Sequence, residues 1–469
     1  MSKQKSSYVF VWNDCQPHST IEGNIIPLER FRSIIWNQLD NIIQVSRDNM
    51  IYCYHSIKDL QNDREAGKCF FKKDYVKSYF KEIDKNYDIQ WKIFKTLDTA
   101  NFRNYSNKQL LSLYVKTILH WGKMISYFRS TQVEPNYYLI EELKKGLPDE
   151  ETITLMTPTE LDLANKEVLD WLKVVKRSYS KNSLLNHTKK YPWIVMSHYN
   201  INDVIETLTQ RYKFDKEHPQ SYNFADEKGK VKKRQEFLLK DNKHKRELAR
   251  LLQKLAIYRM KIKSCWGGLD FYRIKLINEI ARRSKESVSD ISKYYLIKEV
   301  ENLLNGNPLS LREKQQRKKC FVVLWKNKKA LYASGEKAEK LAQKELKQLY
   351  SIKKANQVRG VIANPGKAQG IARILPANNV EKTRELRNNF EKGQILFTGM
   401  TQPNVMDIAS KSGAIVTDEG GMLSHAAVIS REFKIPCIVG THFGTEIFKD
   451  GDLVEVDANK GIVKIIKKK

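Results

Sequence analysis

No CxxC pair occurs in this chain, and its six cysteines, Cys15, Cys53, Cys69, Cys265, Cys320 and Cys437, are scattered. That spacing argues against a zinc knuckle and against a secreted disulfide framework, and it leaves reduced thiols as the simplest reading. Also missing is any run near the roughly 18 to 20 apolar residues that a membrane-spanning helix needs. The opening, MSKQKSSYVFVWNDCQPH, starts basic but sustains no apolar stretch and offers no cleavage site, so we expect no signal peptide, no membrane partner and a cytoplasmic location. Seven histidines, His18, His55, His120, His187, His198, His218 and His244, show no metal-ligand spacing, and no metal site is assigned. Trp and Tyr are absent after Arg359, whereas all eight Trp lie before it. This shift in composition marks a domain boundary.

At 469 residues the chain is too long for one ordinary core. The net charge of +29 makes an acidic partner the first to consider. From Arg359 onward 16 Lys and Arg face 12 Asp and Glu, so almost all of the excess lies earlier. A lysine-rich solvated surface accounts for it more simply than a nucleic-acid patch.

Helical spacing of apolar residues places one helix from Pro27 to about Val45, with Phe31, Ile34, Ile35, Leu39, Ile42 and Ile43 on one face. The same pattern recurs at Gln109 to Phe128, Glu160 to Val175, Lys233 to Lys263, Phe271 to Arg283 and Glu336 to Lys354. We therefore read a multidomain chain: a mainly α-helical region over 1–350, a linker at 351–358, and a C-terminal α/β domain over 359–469. In the last part, β-branched runs such as GQILFT, GAIVTDEGG, IPCIVGT and GDLVEVD alternate with glycines and read as strands. Helices are expected at 403–412 and 424–433.

The stretch GAIVTDEGGMLSHAAVISREFKIPCIVGT builds an anion site. A strand ends near Thr417, and Gly420 and Gly421 turn the chain so that backbone N–H groups can approach a phosphoryl group. Ser424 caps a helix that opens with His425. An imidazole there is a nucleophile towards phosphorus, because one nitrogen of its neutral form is unprotonated near pH 7. Arg431 is a possible further phosphate contact, with a surface ion pair as the plainer alternative. His442 reads as a loop histidine and Cys437 as core.

This segment closely resembles the phosphohistidine domain of the phosphoenolpyruvate-utilising enzymes, which include phosphoenolpyruvate synthase, pyruvate phosphate dikinase, the first enzyme of the sugar phosphotransferase system and rifampicin phosphotransferase. In that family a Gly-Gly-x-x-x-His core is followed by small residues, an Arg and Ile-Pro, and GGMLSHAAVISREFKIP supplies each. GVIANPGKAQGIARI is similar to the family's opening segment, TQPNVMDI to its Thr-x-Pro helix start and GDLVEVDANKGIVKI to its closing hairpin. The resemblance implies that His425 is the phosphorylated residue on a swivelling domain. Leu423 stands where dikinases carry a regulatory threonine, so control of that type is not expected, and the Leu-Ser-His form is closer to rifampicin phosphotransferase.

The sequence shows no Walker-type loop, no ATP-grasp domain and no phosphoenolpyruvate-binding barrel. The resemblance then implies a phosphotransferase component charged in trans by an ATP-grasp-type or phosphoenolpyruvate-binding partner, with magnesium and ATP or phosphoenolpyruvate on that partner. A looser similarity over about 250–330 to the helical region of rifampicin phosphotransferase implies a small-molecule phosphoryl acceptor held there. Three alternatives stay open: a self-contained kinase or synthase with a nucleotide site in the N-terminal half, a non-catalytic scaffold, and a basic nucleic-acid binder.

Overall fold

Residues 41–45, which helical spacing joined to Pro27 in one helix, lie in a strand. The computed structural model describes residues 8–15, 18–31, 33–48, 50–219, 224–240, 242–347, 349, 356–401, 405–421 and 424–469. Its helix in this region covers His18–Arg30 instead. Five strands, β1 (Tyr8–Cys15), β2 (Asn41–Arg47), β3 (Met50–Ser56), β4 (Phe321–Lys326) and β5 (Lys329–Ser334), form one antiparallel sheet in the order β1-β3-β2-β4-β5. Ile42, Ile43 and Val45 are buried in this inner strand. A strand covered on both faces is continuously apolar, and a short apolar run fits either period.

The β4–β5 hairpin closes through Asn327 and Lys328, both at positive φ, as the two-residue turn of a right-twisted ribbon requires. Helix Gly335–Glu345 covers one face through Ala338 and Ala342, and helix His18–Arg30 covers the other through Ile21, Ile25 and Leu28. The first 350 residues are thus mostly helical, with a sheet that sequence reading missed.

The helices Asn107–Arg129, Leu163–Lys176 and Leu269–Ser284 match their expected places. The segment expected to be continuous over Lys233 to Lys263 is two helices, Phe224–Leu238 and Lys243–Gly267, because Asn242 accepts from Lys245 N at 2.9 Å and starts the second afresh. Much of the expected tail of the helix at Glu336 to Lys354, and the linker up to residue 355, lie outside the described residues.

The C-terminal domain is an eight-stranded sheet in the order β6-β13-β12-β8-β9-β10-β11-β7. Its strands are β6 (Gln357–Arg359), β7 (Val361–Asn364), β8 (Lys367–Leu375), β9 (Ile395–Thr398), β10 (Ala414–Thr417), β11 (Cys437–Val439), β12 (Leu453–Asp457) and β13 (Ile462–Lys467). β8 to β11 run parallel in sequence order, which sets their carboxyl ends along one edge. β6 pairs with β13, so residues 357 and 358 belong to the sheet and not to a linker. Helix Val380–Asn389 was not expected, since only Thr383 and Leu386 of its residues are buried and its apolar signal is correspondingly thin. The helix expected at 403–412 is described only as Met406–Ala409, with residues 402–404 outside the described set.

Burial holds several imidazoles neutral. It lowers His55 to about 3 and His120 to about 4, and it lowers His198 as well. An unfolded chain protonates these groups near pH 6.5, so as pH falls from 6.5 towards 4 it takes up protons that the fold refuses, and stability drops. Asp63, raised to about 7 by burial, works the other way over the same window. Glu22 and Asp215, also raised by burial, act in the same sense as Asp63, so the urea midpoint is expected to fall between pH 7 and pH 4.5 by what His55 and His120 contribute, about 2 kcal/mol each, less what these carboxyls return. A midpoint that holds or rises on acidification would show that these rings are not buried as described.

Candidate functional site

β10 lies between β9 and β11, and its residues Ala414 to Thr417 are all buried. The chain leaves its carboxyl end through Asp418, whose buried carboxylate accepts from the Thr441 hydroxyl at 3.0 Å, from Thr445 N at 3.2 Å and from the Thr445 hydroxyl. Asp418 N and Glu419 N in turn donate to the carbonyls of Thr398 and Gly399, both at 3.0 Å. Three loops at the carboxyl edge of the parallel strands are thereby fixed to one another. This is the edge at which parallel sheets gather ligands.

Gly420 sits at φ +104°, and a Cβ there would lie 2.9 Å from Ser424 Cβ, so the turn demands glycine. Gly421 is different: a Cβ would meet nothing within 4 Å, so its surroundings leave room for a ligand. Ser424 N donates to the Gly421 carbonyl at 2.9 Å, and Ser424 Oγ accepts from Ala427 N at 3.4 Å, capping helix His425–Glu432. His425 is therefore the first residue of a capped helix, where N–H groups and the dipole favour an anion.

The imidazole is half-buried, and its Nδ1 lies 2.9 Å from Thr401 Oγ1 on the loop after β9. When Nδ1–H donates to that hydroxyl the lone pair resides on Nε2, and when the hydroxyl donates to Nδ1 the proton sits on Nε2 instead. Burial first, then the charges of Arg211 and Lys263, lower this histidine to about 4, so it is neutral at pH 7. In the first of these tautomers a neutral ring, with no partner for Nε2 among the described residues, has the lone pair that attack on phosphorus needs.

Those cations belong to the helical region. Arg211, on helix Ile201–Glu217, is buried, bonds Glu167 at 2.7 Å and 3.3 Å, and lies 4.3 Å over the Trp171 ring. Lys263 is one turn beyond Arg259 on helix Lys243–Gly267, which places both on one face. The Arg259 guanidinium lies 4.4 Å over Phe128 and donates to the Thr131 carbonyl and hydroxyl, each at 3.3 Å. Its charge is offset by Glu419, on the loop that leads to His425.

Further contacts seat the C-terminal domain on the rest of the chain. Arg384 bonds Glu206 at 2.6 Å and Asp203 at 2.8 Å, the Tyr54 hydroxyl donates to Glu446 at 2.9 Å, and Phe214 packs against the carrier core.

The structure brings Gly420, Gly421, Ser424 and His425 together, but it does not bring Arg431 to them. Arg431 Nε donates to the Ala363 carbonyl at 3.2 Å, and the residue lies six positions along the helix, roughly 9 Å down its axis. Cys437 is buried in the core, and His442 is an exposed loop residue at φ +64°. Leu423 lies outside the described residues. Sequence reading missed the work of Thr401 and Asp418, although TQP and TDEGG were both in view. It had no local signal for Arg211, Arg259 and Lys263. Among the described residues no three His, Cys, Asp or Glu side chains form a metal cluster, and no helix is long and apolar enough to cross a membrane.

Comparison with known proteins points to the same stretch. Residues 390–461 match the family model described as PEP-utilising enzyme, mobile domain. A probable phosphoenolpyruvate synthase of Staphylothermus marinus is 43% identical over 129 residues, which are 27% of this chain and 15% of that protein. The phosphoenolpyruvate synthase of Aeropyrum pernix is 48% identical over 106 residues, 23% of this chain and 12% of that one. The chain therefore spans about a seventh or less of these curated relatives. An Enzyme I solution structure superposes with a TM-score of 0.20 at 13% identity, over 62% of this chain and 83% of that one, too loosely for any conclusion.

Proposed function

We propose, for a chain whose C-terminal region belongs to the mobile-domain family of the phosphoenolpyruvate-utilising enzymes, that it works as a phosphotransferase component with His425 as its phosphoryl carrier. The observation that carries this reading is the place of the ring: at the start of a capped helix after the Gly420–Gly421 turn, with Nδ1 2.9 Å from Thr401 Oγ1 and no partner for Nε2 among the described residues. In the charging step Nε2 attacks phosphorus, the N–P bond forms, and the P–O bond to the donor breaks with its electron pair leaving on the donor oxygen. In the discharging step an acceptor hydroxyl attacks, the N–P bond breaks with its pair returning to the imidazole, and the hydroxyl proton ends on the neutral ring.

The donor is an ATP-grasp-type or phosphoenolpyruvate-binding protein acting in trans, and magnesium enters with the nucleotide on that partner. The acceptor is a small molecule held by the helical region, residues 1–350, while residues from about 357 onward form the carrier. Such chemistry belongs to the cytoplasm. Seated as it is, the carrier leaves His425 in the field of Arg211 and Lys263 and Glu419 in that of Arg259, which suits discharge: developing negative charge on the phosphoryl oxygens would meet preorganised positive charge. Charging by a separate protein requires the carrier to leave that seat.

The test is incubation with candidate donor proteins and ATP labelled at its β or γ phosphorus, or labelled phosphoenolpyruvate. We expect acid-labile, alkali-stable label on this chain only when the partner is present. Label from ATP with the purified chain alone would replace the partner by a nucleotide site of its own, and no label under any of these conditions would sink the reading.

A further inference from the structure

A cleft of about 710 Å³ opens on the helical region between helices Lys73–Thr99 and Asn107–Arg129. No residue that lines it belongs to the C-terminal domain or to the two helices that carry Arg211, Arg259 and Lys263. Its floor is aliphatic. Leu111, Val115 and Leu119 recur at every fourth position and meet Ile89 from the facing helix, and all four are only partly buried. A trough of this kind is left half-covered by the chain's own packing.

Its rim is cationic. Lys108, Lys116 and Lys123 stand on the same helix, at steps of roughly 11 Å along the axis. Among the described residues none of the three ammonium groups has a carboxylate partner. The single acid at the cleft is Glu301. Beneath the floor, His120 Nδ1 bonds Gln90 Oε1 at 2.7 Å, while His120 Nε2 and the fully buried Gln90 Nε2 have no partner among the described residues. Unmet buried polar atoms are costly, and a bound water or a polar group of a ligand would meet them.

An apolar trough under a row of unpaired cations selects for two properties at once. The volume lies within the range of about 300 to 1,000 Å³ typical of small-molecule sites. We propose that this cleft binds a soluble amphipathic organic anion, a carboxylate or phosphate monoester joined to an aliphatic body of medium length. The aliphatic part covers Leu111, Val115, Leu119 and Ile89, and the head group lies among the lysines. The site is independent of the phosphoryl chemistry at His425.

The experiment is calorimetric titration of the full chain with decanoate, decyl phosphate and the neutral decyl glucoside. Saturable one-to-one binding is expected for both anions, with the neutral compound at least tenfold weaker. Lys108→Glu with Lys116→Glu, both at exposed positions, is expected to weaken decanoate at least tenfold, while His425→Ala binds it unchanged. The imidazole of His120, followed by NMR, should titrate at higher pH once the anion is bound. Equal affinity for the neutral compound, equal affinity in the charge-reversed variant, or no saturation with either anion would overturn the proposal. So would association that appears only with anionic lipid vesicles, because it would make the lysines a membrane-facing patch.

Discussion

His425→Ala and His425→Asn are each expected to take up less than about 1% of the wild-type acid-labile phosphate in the presence of a competent donor, because the nucleophile supplies a covalent step that no neighbour can replace. The proposed reacting atom is Nε2, which holds the lone pair when Nδ1–H donates to Thr401 Oγ1, 2.9 Å away. Asparagine keeps a polar group of similar reach but offers no basic lone pair, so its failure would assign the loss to chemistry and not to lost packing. The fold should tolerate both changes. The helix is capped by Ser424, not by His425, and among the described residues the ring bonds only Thr401. Arg431→Ala is the internal control: its guanidinium is occupied at Ala363, and labelling should match wild type. Wild-type labelling in the alanine variant would move the phosphoryl group to another side chain and dissolve the assignment.

The contrast between His425 and the groups that face it shows which parts of the site a sequence can disclose. The turn, the cap and the nucleophile lie within six residues of one another, so Gly420, Gly421, Ser424 and His425 could be read together from local rules of backbone conformation. Arg211, Arg259 and Lys263 come from helices that lie more than 150 residues earlier, and on each helix they look like ordinary surface charges. The same distinction governs the fold. The parallel strands of the carrier are short β-branched runs with glycines between them, and all were legible. The sheet β1 to β5 joins segments nearly 300 residues apart, so no local signal connects Val45 to Val322, its partner in the ladder. Pro27 also misled: it was taken for the start of a helix and lies inside one that begins at His18.

Exchange of both Arg259 and Lys263 for alanine is expected to slow discharge of phosphorylated His425 by about 10² to 10³, the loss typical when preorganised charge is removed from a developing anion. Charging should change less than about twofold, because the donor meets His425 only when the carrier has left these residues. The asymmetry follows from the geometry. The two side chains share one face of helix Lys243–Gly267, and their charges are felt at Glu419 and His425 respectively, so that face runs along the carrier's active loop. Arg259→Lys should recover only part of the rate, since an ammonium keeps the charge but loses the planar fork that can hold two phosphoryl oxygens. The measurement is a single-turnover chase: label the carrier, remove the donor, add the small-molecule fraction of a cell extract and follow label remaining on the chain. Equal chase rates in wild type and double variant would mean that these cations only brace the seat of the carrier. An equal fall in charging and discharge would mean that they support the folded chain as a whole. The differential loss is what a cationic receiving face, opposed to a neutral histidine, requires.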